Sequence, residues 1–209
     1  MMTLQEYLKA PCSAFSIPYW KAKRIQIPEN MQIIHDKAFV AAFYTDYEDE
    51  EYFRLSADLR NNVPVKVDGF TIKTAALEDL PLMASIINRS YTDLQVSEQQ
   101  LIGYTRTPVY APDLWLLIRE ESTGNYVGCG IADLDREAGE LILEWIQILP
   151  EYRGRKLGQM LVTGLLEQGK NRASFATVSG KCDNPTNPER LYRKCGFTGD
   201  DVWHILRKR

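Results

Sequence analysis

The stretch from Glu144 to Gly158, EWIQILPEYRGRKLG, constrains the chain more than any other. An apolar strand pattern, Leu141 to Leu149, meets Pro150. A loop then carries Arg153, Arg155 and Lys156 together with Gly154 and Gly158. A helical stripe of Leu157, Met160, Leu161, Leu165 and Leu166 follows. The strand is apolar on both faces, which places it inside a sheet rather than at an edge. A strand feeding a helix through a cationic, glycine-bearing turn aims backbone N–H groups and positive charge at one point, as an anion requires. The spacing is neither G-x-x-x-x-G-K-[ST] nor G-x-G-x-x-G, so the ATP and dinucleotide loops lose support. A solvated basic turn ahead of an amphipathic helix is the plainer alternative.

The same alternation of strand and helix runs through most of the chain. From Gly69 on, strands are predicted over Phe70–Thr74, Leu114–Ile118, Tyr126–Leu134, Leu141–Leu149, Ser174–Ser179 and Val202–Leu206. Helices are predicted over Leu77–Tyr91, Glu98–Tyr104, the stripe after Gly158, and Pro188–Cys195. That order predicts an α/β chain, a mixed sheet with helices on both faces. Residues 1–67 have no single period. Leu4–Leu8 reads as a short helix and Met31–His35 as a short strand, while Asp46–Glu51, with five acids interrupted only by Tyr47, reads as a solvated loop. The segment's aromatics argue for a folded extension packed on the main domain, since disordered tails usually lack them. The domain reading is therefore 1–67 as that extension and 68–209 as the main domain.

With 44% hydrophobic and 25% charged residues in 209, the chain can bury a sizeable core. A net charge of −3 gives no basic field, so no nucleic-acid partner is expected. No apolar run reaches the roughly 20 residues of a membrane helix, so no membrane association is expected. The opening MMTLQEYLKAPCSAF lacks a basic start followed by an apolar core and predicts no export signal. Cys12, Cys129, Cys182 and Cys195 form no C-x-x-C pair, and only His35 and His204 accompany them. No metal is expected on that pattern, and reduced thiols point to a cytoplasmic protein.

Two side chains stand out besides the loop. Glu144 is a lone carboxylate in LILEWIQIL, on the face of Ile142, Ile146 and Ile148 if the strand is regular. It is either held by a structural partner or desolvated, in which case it suits a general base. Tyr192 lies in a helix that Asn187 caps, Pro188 opens and Gly196 stops. Read alone, it is an amphipathic core aromatic. The acidic run is either idle or an attraction for a cationic substrate.

Taken together, the loop and the Tyr192 helix resemble the GNAT superfamily of acetyl-CoA-dependent N-acetyltransferases. Arg153-Gly-Arg-Lys-Leu-Gly158 fits the family's Arg/Gln-x-x-Gly-x-Gly/Ala at its first and last positions, with Lys156 in place of the middle Gly. Pro150-Glu-Tyr-Arg-Gly154 and Leu191-Tyr-Arg-Lys-Cys-Gly-Phe197 are typical of it. The family's Asn, seven residues before the Tyr, falls on Pro185, flanked by Asn184 and Asn187.

The resemblance implies a GNAT-like acyl-CoA N-acyltransferase fold with an N-terminal extension. It implies acetyl-CoA as co-substrate, with the pyrophosphate on Arg153, Gly154, Arg155, Lys156, Leu157, Gly158 and Gln159. It implies the pantetheine arm along Ile146, Gln147 and Ile148, and Asn187 as a further contact. It implies a direct attack by a primary amine of a small molecule or peptide, with Glu144 as general base and Tyr192 as general acid to the leaving thiolate. A homodimer is among the assemblies it allows. A module that binds CoA without transfer is the alternative.

Overall fold

The computed structural model describes residues 3–91 and 94–209. Met1 and Met2, which open the stretch read for an export signal, lie outside it. The helices are α1 (Leu4–Lys9), α2 (Pro11–Ala14), α3 (Tyr19–Ala22), α4 (Leu80–Ser90), α5 (Glu98–Tyr104), α6 (Leu157–Gly169) and α7 (Pro188–Lys194). The strands are β1 (Met31–His35), β2 (Tyr47–Asp58), β3 (Phe70–Thr74), β4 (Trp115–Glu120), β5 (Tyr126–Asp135), β6 (Glu140–Ile148), β7 (Phe175–Lys181) and β8 (Thr198–Lys208). The chain is thus mixed α/β, as expected. It divides into two compact units, one of residues through Ala57 together with Thr177–Arg209, the other Asp58–Ala176.

In the unit Asp58–Ala176, four strands run in the order β6-β5-β4-β3, every pair antiparallel. Helices α4 and α5 close one face through Met83, Ile86, Ile87 and Leu101, packed with Trp115, Leu117, Cys129 and Ile131 of the sheet. Helix α6 is close to residues of the same strands. A Cβ on Gly130 would meet Leu161 Cγ at 2.9 Å, and one on Gly169 would meet Leu141 Cδ2 at 2.7 Å. The bare backbone at those two positions is what lets helix and sheet approach. Capping chemistry agrees with the boundaries. Ser97 accepts from Gln100 N, and Gln100 Oε1 answers to Ser97 N at 2.7 Å, a capping box that opens α5.

The other unit has the strand order β1-β8-β2-β7. Strand β8 is antiparallel to both its neighbours, with Ile33 opposite Ile205 and Glu51 opposite His204. Tyr7, Leu55 and Leu206 are fully buried there. Arg54 is buried with them, and its guanidinium donates to Tyr7 Oη at 3.0 Å and to Ser179 Oγ at 3.1 Å. These two hydrogen bonds offset part of the cost of taking a cation out of water.

One element differs from the sequence reading. Asp46–Glu51 is not a loop: β2 begins at Tyr47 and runs through the acids to Asp58. Alternation puts Glu50 beside Lys181 and Arg207, while Asp49 pairs with His204. Carboxylates neutralised across a ladder tolerate a strand that their intrinsic preference disfavours.

Candidate active site

Of the residues expected to take part in acyl transfer, those in the unit Asp58–Ala176 lie on β6, the turn after it and the start of α6. Strand β6 pairs with β5 through Gly128 opposite Ile148, Cys129 opposite Gln147 and Gly130 opposite Ile146. The register then slips: Ile131 faces Trp145 but Ala132 faces Leu143, leaving Glu144 as the extra residue of a β-bulge. The bulge resets the alternation. Ile142 is opposite Asp133 and Ile146 opposite Gly130, three residues apart on β5, so they fall on opposite faces. The expectation that Glu144 shares one face with Ile142, Ile146 and Ile148 fails for that reason. Glu144 is half-buried, and so is its neighbour Trp145.

Beside the bulge, Gln147 Nε2 donates to Tyr91 Oη at 2.8 Å, and the Tyr91 ring stands edge-on to Trp145 with centroids 6.2 Å apart. Sequence reasoning missed Tyr91 as a neighbour of this strand. Its signal was only its place at the end of a predicted helix, and nothing there names its partner.

Past β6, Leu149–Arg153 turns through a short 3₁₀ segment at Pro150–Tyr152. Arg153 uses its guanidinium on the protein itself, donating from Nε to Ile148 O at 3.3 Å and from Nη2 to Ser90 O at 3.0 Å. It therefore ties the end of β6 to the last residue of α4, where a cation also suits the helix C-terminus. Gly154 takes φ +81°. Lys156 takes φ +63° and ψ +9°, the left-handed conformation a glycine would adopt freely. The lysine in place of the motif's middle glycine thus keeps the glycine's backbone path. Its carbonyl accepts from Met160 N at 3.0 Å, which starts α6.

The side chain of the N-cap residue Lys156 makes no capping hydrogen bond to α6. The N–H groups of Leu157, Gly158 and Gln159 stand in its first turn, where a helix has no internal acceptors. Gly154, Arg155 and Lys156 are exposed, whereas Leu157 is buried and anchors the turn. The Arg155 guanidinium lies over the Tyr152 ring, 5.0 Å from its centroid. Tyr152 Oη donates to Glu120 at 3.0 Å, and that carboxylate holds the phenol above its ordinary pKa. A 13-residue helix with an uncapped N-terminus and two exposed cations ahead of it has the donor set a pyrophosphate needs. The residues fit a CoA pyrophosphate on that ground.

Asn187 and Tyr192 lie in the other unit, on α7. Asn187 has φ +46° and caps the helix, its Oδ1 accepting from Arg190 N at 3.2 Å. Asn184 Oδ1 accepts from Thr186 N at 2.9 Å, so that side chain also serves its own turn. Tyr192 is buried, its ring 6.2 Å from Phe53 and 5.8 Å from Phe197.

Thiols offer a poorer nucleophile here. Burial pushes the Cys195 thiol up to about 11 and the Cys129 thiol further. His35 and His204 both face carboxylates, of Asp201 and of Asp36 and Asp49. No helix among the described residues is long and apolar enough to cross a membrane.

Comparison with known proteins bears on the fold. Residues 112–199 match the model of the acetyltransferase (GNAT) domain, a span that contains β6, the loop, α6 and α7. No curated protein's sequence matches the chain. Among solved structures, a GCN5-related N-acetyltransferase from Sphaerobacter thermophilus superimposes with TM-score 0.72 at 19% identity, covering 85% of this chain. This chain spans 58% of that protein's length. The ribosomal-protein-S18-alanine N-acetyltransferase of Escherichia coli aligns with TM-score 0.53 at 19% identity, over 66% of this chain and 91% of its own. Ard1 from Thermoplasma volcanium aligns with TM-score 0.54 at 16% identity, over 66% of this chain and 97% of its own. Identities this low speak to fold alone. Residues 112–199 thus match the acetyltransferase (GNAT) domain model, and the fold around them is similar to that of a GCN5-related N-acetyltransferase.

Proposed function

We propose that the protein is an N-acetyltransferase that moves an acetyl group from acetyl-CoA to a primary amine of a small molecule or peptide. The uncapped N-terminus of α6 behind the left-handed Lys156 carries this reading. Main-chain N–H groups of Gly154 to Gln159 hold the diphosphate, with Arg155 and Lys156 adding charge. Ile146, Gln147 and Ile148 offer strand-like pairing to the pantetheine amides, and Asn187 gives a further contact. Arg153 acts through the backbone, fixing the turn that presents these donors. When bound, acetyl-CoA supplies an activated acyl thioester.

The remaining chemistry falls to side chains. An amine of pKa about 10 is mostly protonated at neutral pH, so attack first needs a base. Glu144, turned out of the regular alternation by the bulge, takes that proton directly or through water. A backbone N–H of Ile146–Ile148 meets the charge that develops on the carbonyl oxygen. Tyr192 delivers a proton to the departing thiolate. The four free cysteines fit a reducing, cytoplasmic setting.

The test is incubation with acetyl-CoA and a panel of amines, reading released thiol. Tyr192→Phe is expected to lower kcat by about 10²-fold or more with little change in the acetyl-CoA KM, because its proton is needed late. Glu144→Gln should shift or abolish the acidic limb of the pH–rate profile. An unaltered kcat in the first variant removes Tyr192 from the mechanism, and an unmoved limb removes Glu144. Tight CoA binding without thiol release from any amine would leave a CoA-binding module instead.

A further inference from the structure

On one face of the β2–β8 ladder, three potential ligand groups converge. Glu51 lies directly opposite His204, and Asp49, two residues along β2, shares their face. One ligand-type atom from each of Asp49, Glu51 and His204 falls within 4.8 Å of the others. The imidazole is buried, while both carboxylates are exposed, so an ion has a route in from solvent.

His204 is also oriented as a ligand would be. One ring nitrogen, Nδ1, lies 2.8 Å from Asp49 Oδ2, and the other, Nε2, lies 3.3 Å from Asp36 Oδ1. The Phe39 ring stacks on it with centroids 3.7 Å apart and a 14° interplanar angle. Metal-bound histidines almost always give their second nitrogen to a carboxylate, which fixes the ring and raises its basicity. Asp36 occupies that place here.

We propose that Asp49, Glu51 and His204 bind a divalent transition-metal ion of the zinc class, with Asp36 holding the far imidazole nitrogen. The charge balance favours a dication. Asp36, Asp49 and Glu51 bring three carboxylates to one imidazole, and the ion pairs of Asp36 and Asp49 both run to that ring. The neighbouring cations Lys181 and Arg207 serve Glu50, which alternation places on the opposite face of β2. One nitrogen and two carboxylate oxygens suit Zn²⁺, Co²⁺ or Mn²⁺, whereas Ca²⁺ and Mg²⁺ prefer all-oxygen shells. A fourth position stays open to water. Bound there, the ion clips strand β2 to strand β8 as a structural staple. The sequence reading expected no metal because it found four scattered cysteines and only two histidines, His35 and His204. These ligands lie 155 residues apart in the chain and meet only across a ladder.

The full-length protein, stripped with EDTA and titrated with ZnCl₂ by calorimetry, tests this. Roughly one equivalent per chain is expected to bind, with Kd near micromolar or tighter and a rise in Tm. CoCl₂ should give a visible d–d spectrum at the same stoichiometry, and excess MgCl₂ or CaCl₂ should not displace it. Glu51→Gln and Asp49→Asn, both at exposed positions, should each weaken Zn²⁺ affinity by about tenfold or more while the metal-free far-UV spectrum stays unchanged. Absence of Zn²⁺ binding at 100-fold the expected Kd overturns the proposal. So does binding that is equally tight in Glu51→Gln and Asp49→Asn, since the ion would then sit elsewhere.

Discussion

Lys156 holds φ +63° at the one point where the loop must turn sharply into α6. A left-handed residue with a Cβ costs about 1 kcal/mol relative to its ordinary conformations. A straight-chain lysine tolerates this better than a β-branched residue, whose second γ-substituent crowds the following carbonyl. Lys156→Val should therefore lower stability by about 1–2 kcal/mol. Lys156→Gly should stay within about 1 kcal/mol of the parent, since relief of strain is offset by a floppier unfolded chain. Urea denaturation of the three proteins checks this, and a valine variant as stable as the parent would show that the loop relaxes. At this scale the sequence was informative about identity but not about use. Arg153 was legible as a motif cation, yet its guanidinium bonds Ile148 O and Ser90 O. Ser90 is 63 residues away in the chain, and no local pattern carries that pairing.

Elements were read well where a period was long and capped. The prediction of a helix over Glu98–Tyr104 matches α5, and its Ser97–Gln100 box explains why. The helix predicted from Leu77 opens instead with a 3₁₀ turn, Leu77–Asp79, before α4 starts at Leu80. What the strand pattern of LILEWIQIL could not reveal is the bulge at Glu144. A bulge is a relation between two strands, and neither glycine nor proline marks it here. The same dependence on a partner governs Gly130, whose missing side chain is filled by Leu161. Gly130→Val is expected to destabilise by about 1–3 kcal/mol through overpacking, and Leu161→Ala in the same protein should recover part of that loss. Chemical denaturation of the two single variants and the pair gives the coupling. Strictly additive losses would mean that β5 and α6 do not meet as described.

At the scale of the whole molecule, the sequence read residues 1–67 as a folded extension, and its aromatics do enter a core: Tyr7, Tyr19 and Phe53 are buried. Their topological part lay beyond the pattern. Strands β1 and β2 flank β8 on both sides, so among the described residues the last strand pairs with strands from the first 58 residues. A shortened chain beginning at Asp58 would leave β8 with two open edges and expose Phe197 and Leu206, now buried. It should aggregate, measured by static light scattering and by loss of a cooperative thermal transition. A monodisperse, cooperatively melting 58–209 fragment would contradict this. The amino-acid order by itself carried most of the local elements, the cationic glycine turn and the resemblance to the GNAT superfamily, because periodicity, caps and a short motif act over a few residues. Only the tertiary structure decided the bulge that carries Glu144, the anchoring of Arg153 and the meeting of β2 with β8. Those are pairings between distant segments, set by which strand finds which edge, and a one-dimensional pattern holds no term for them.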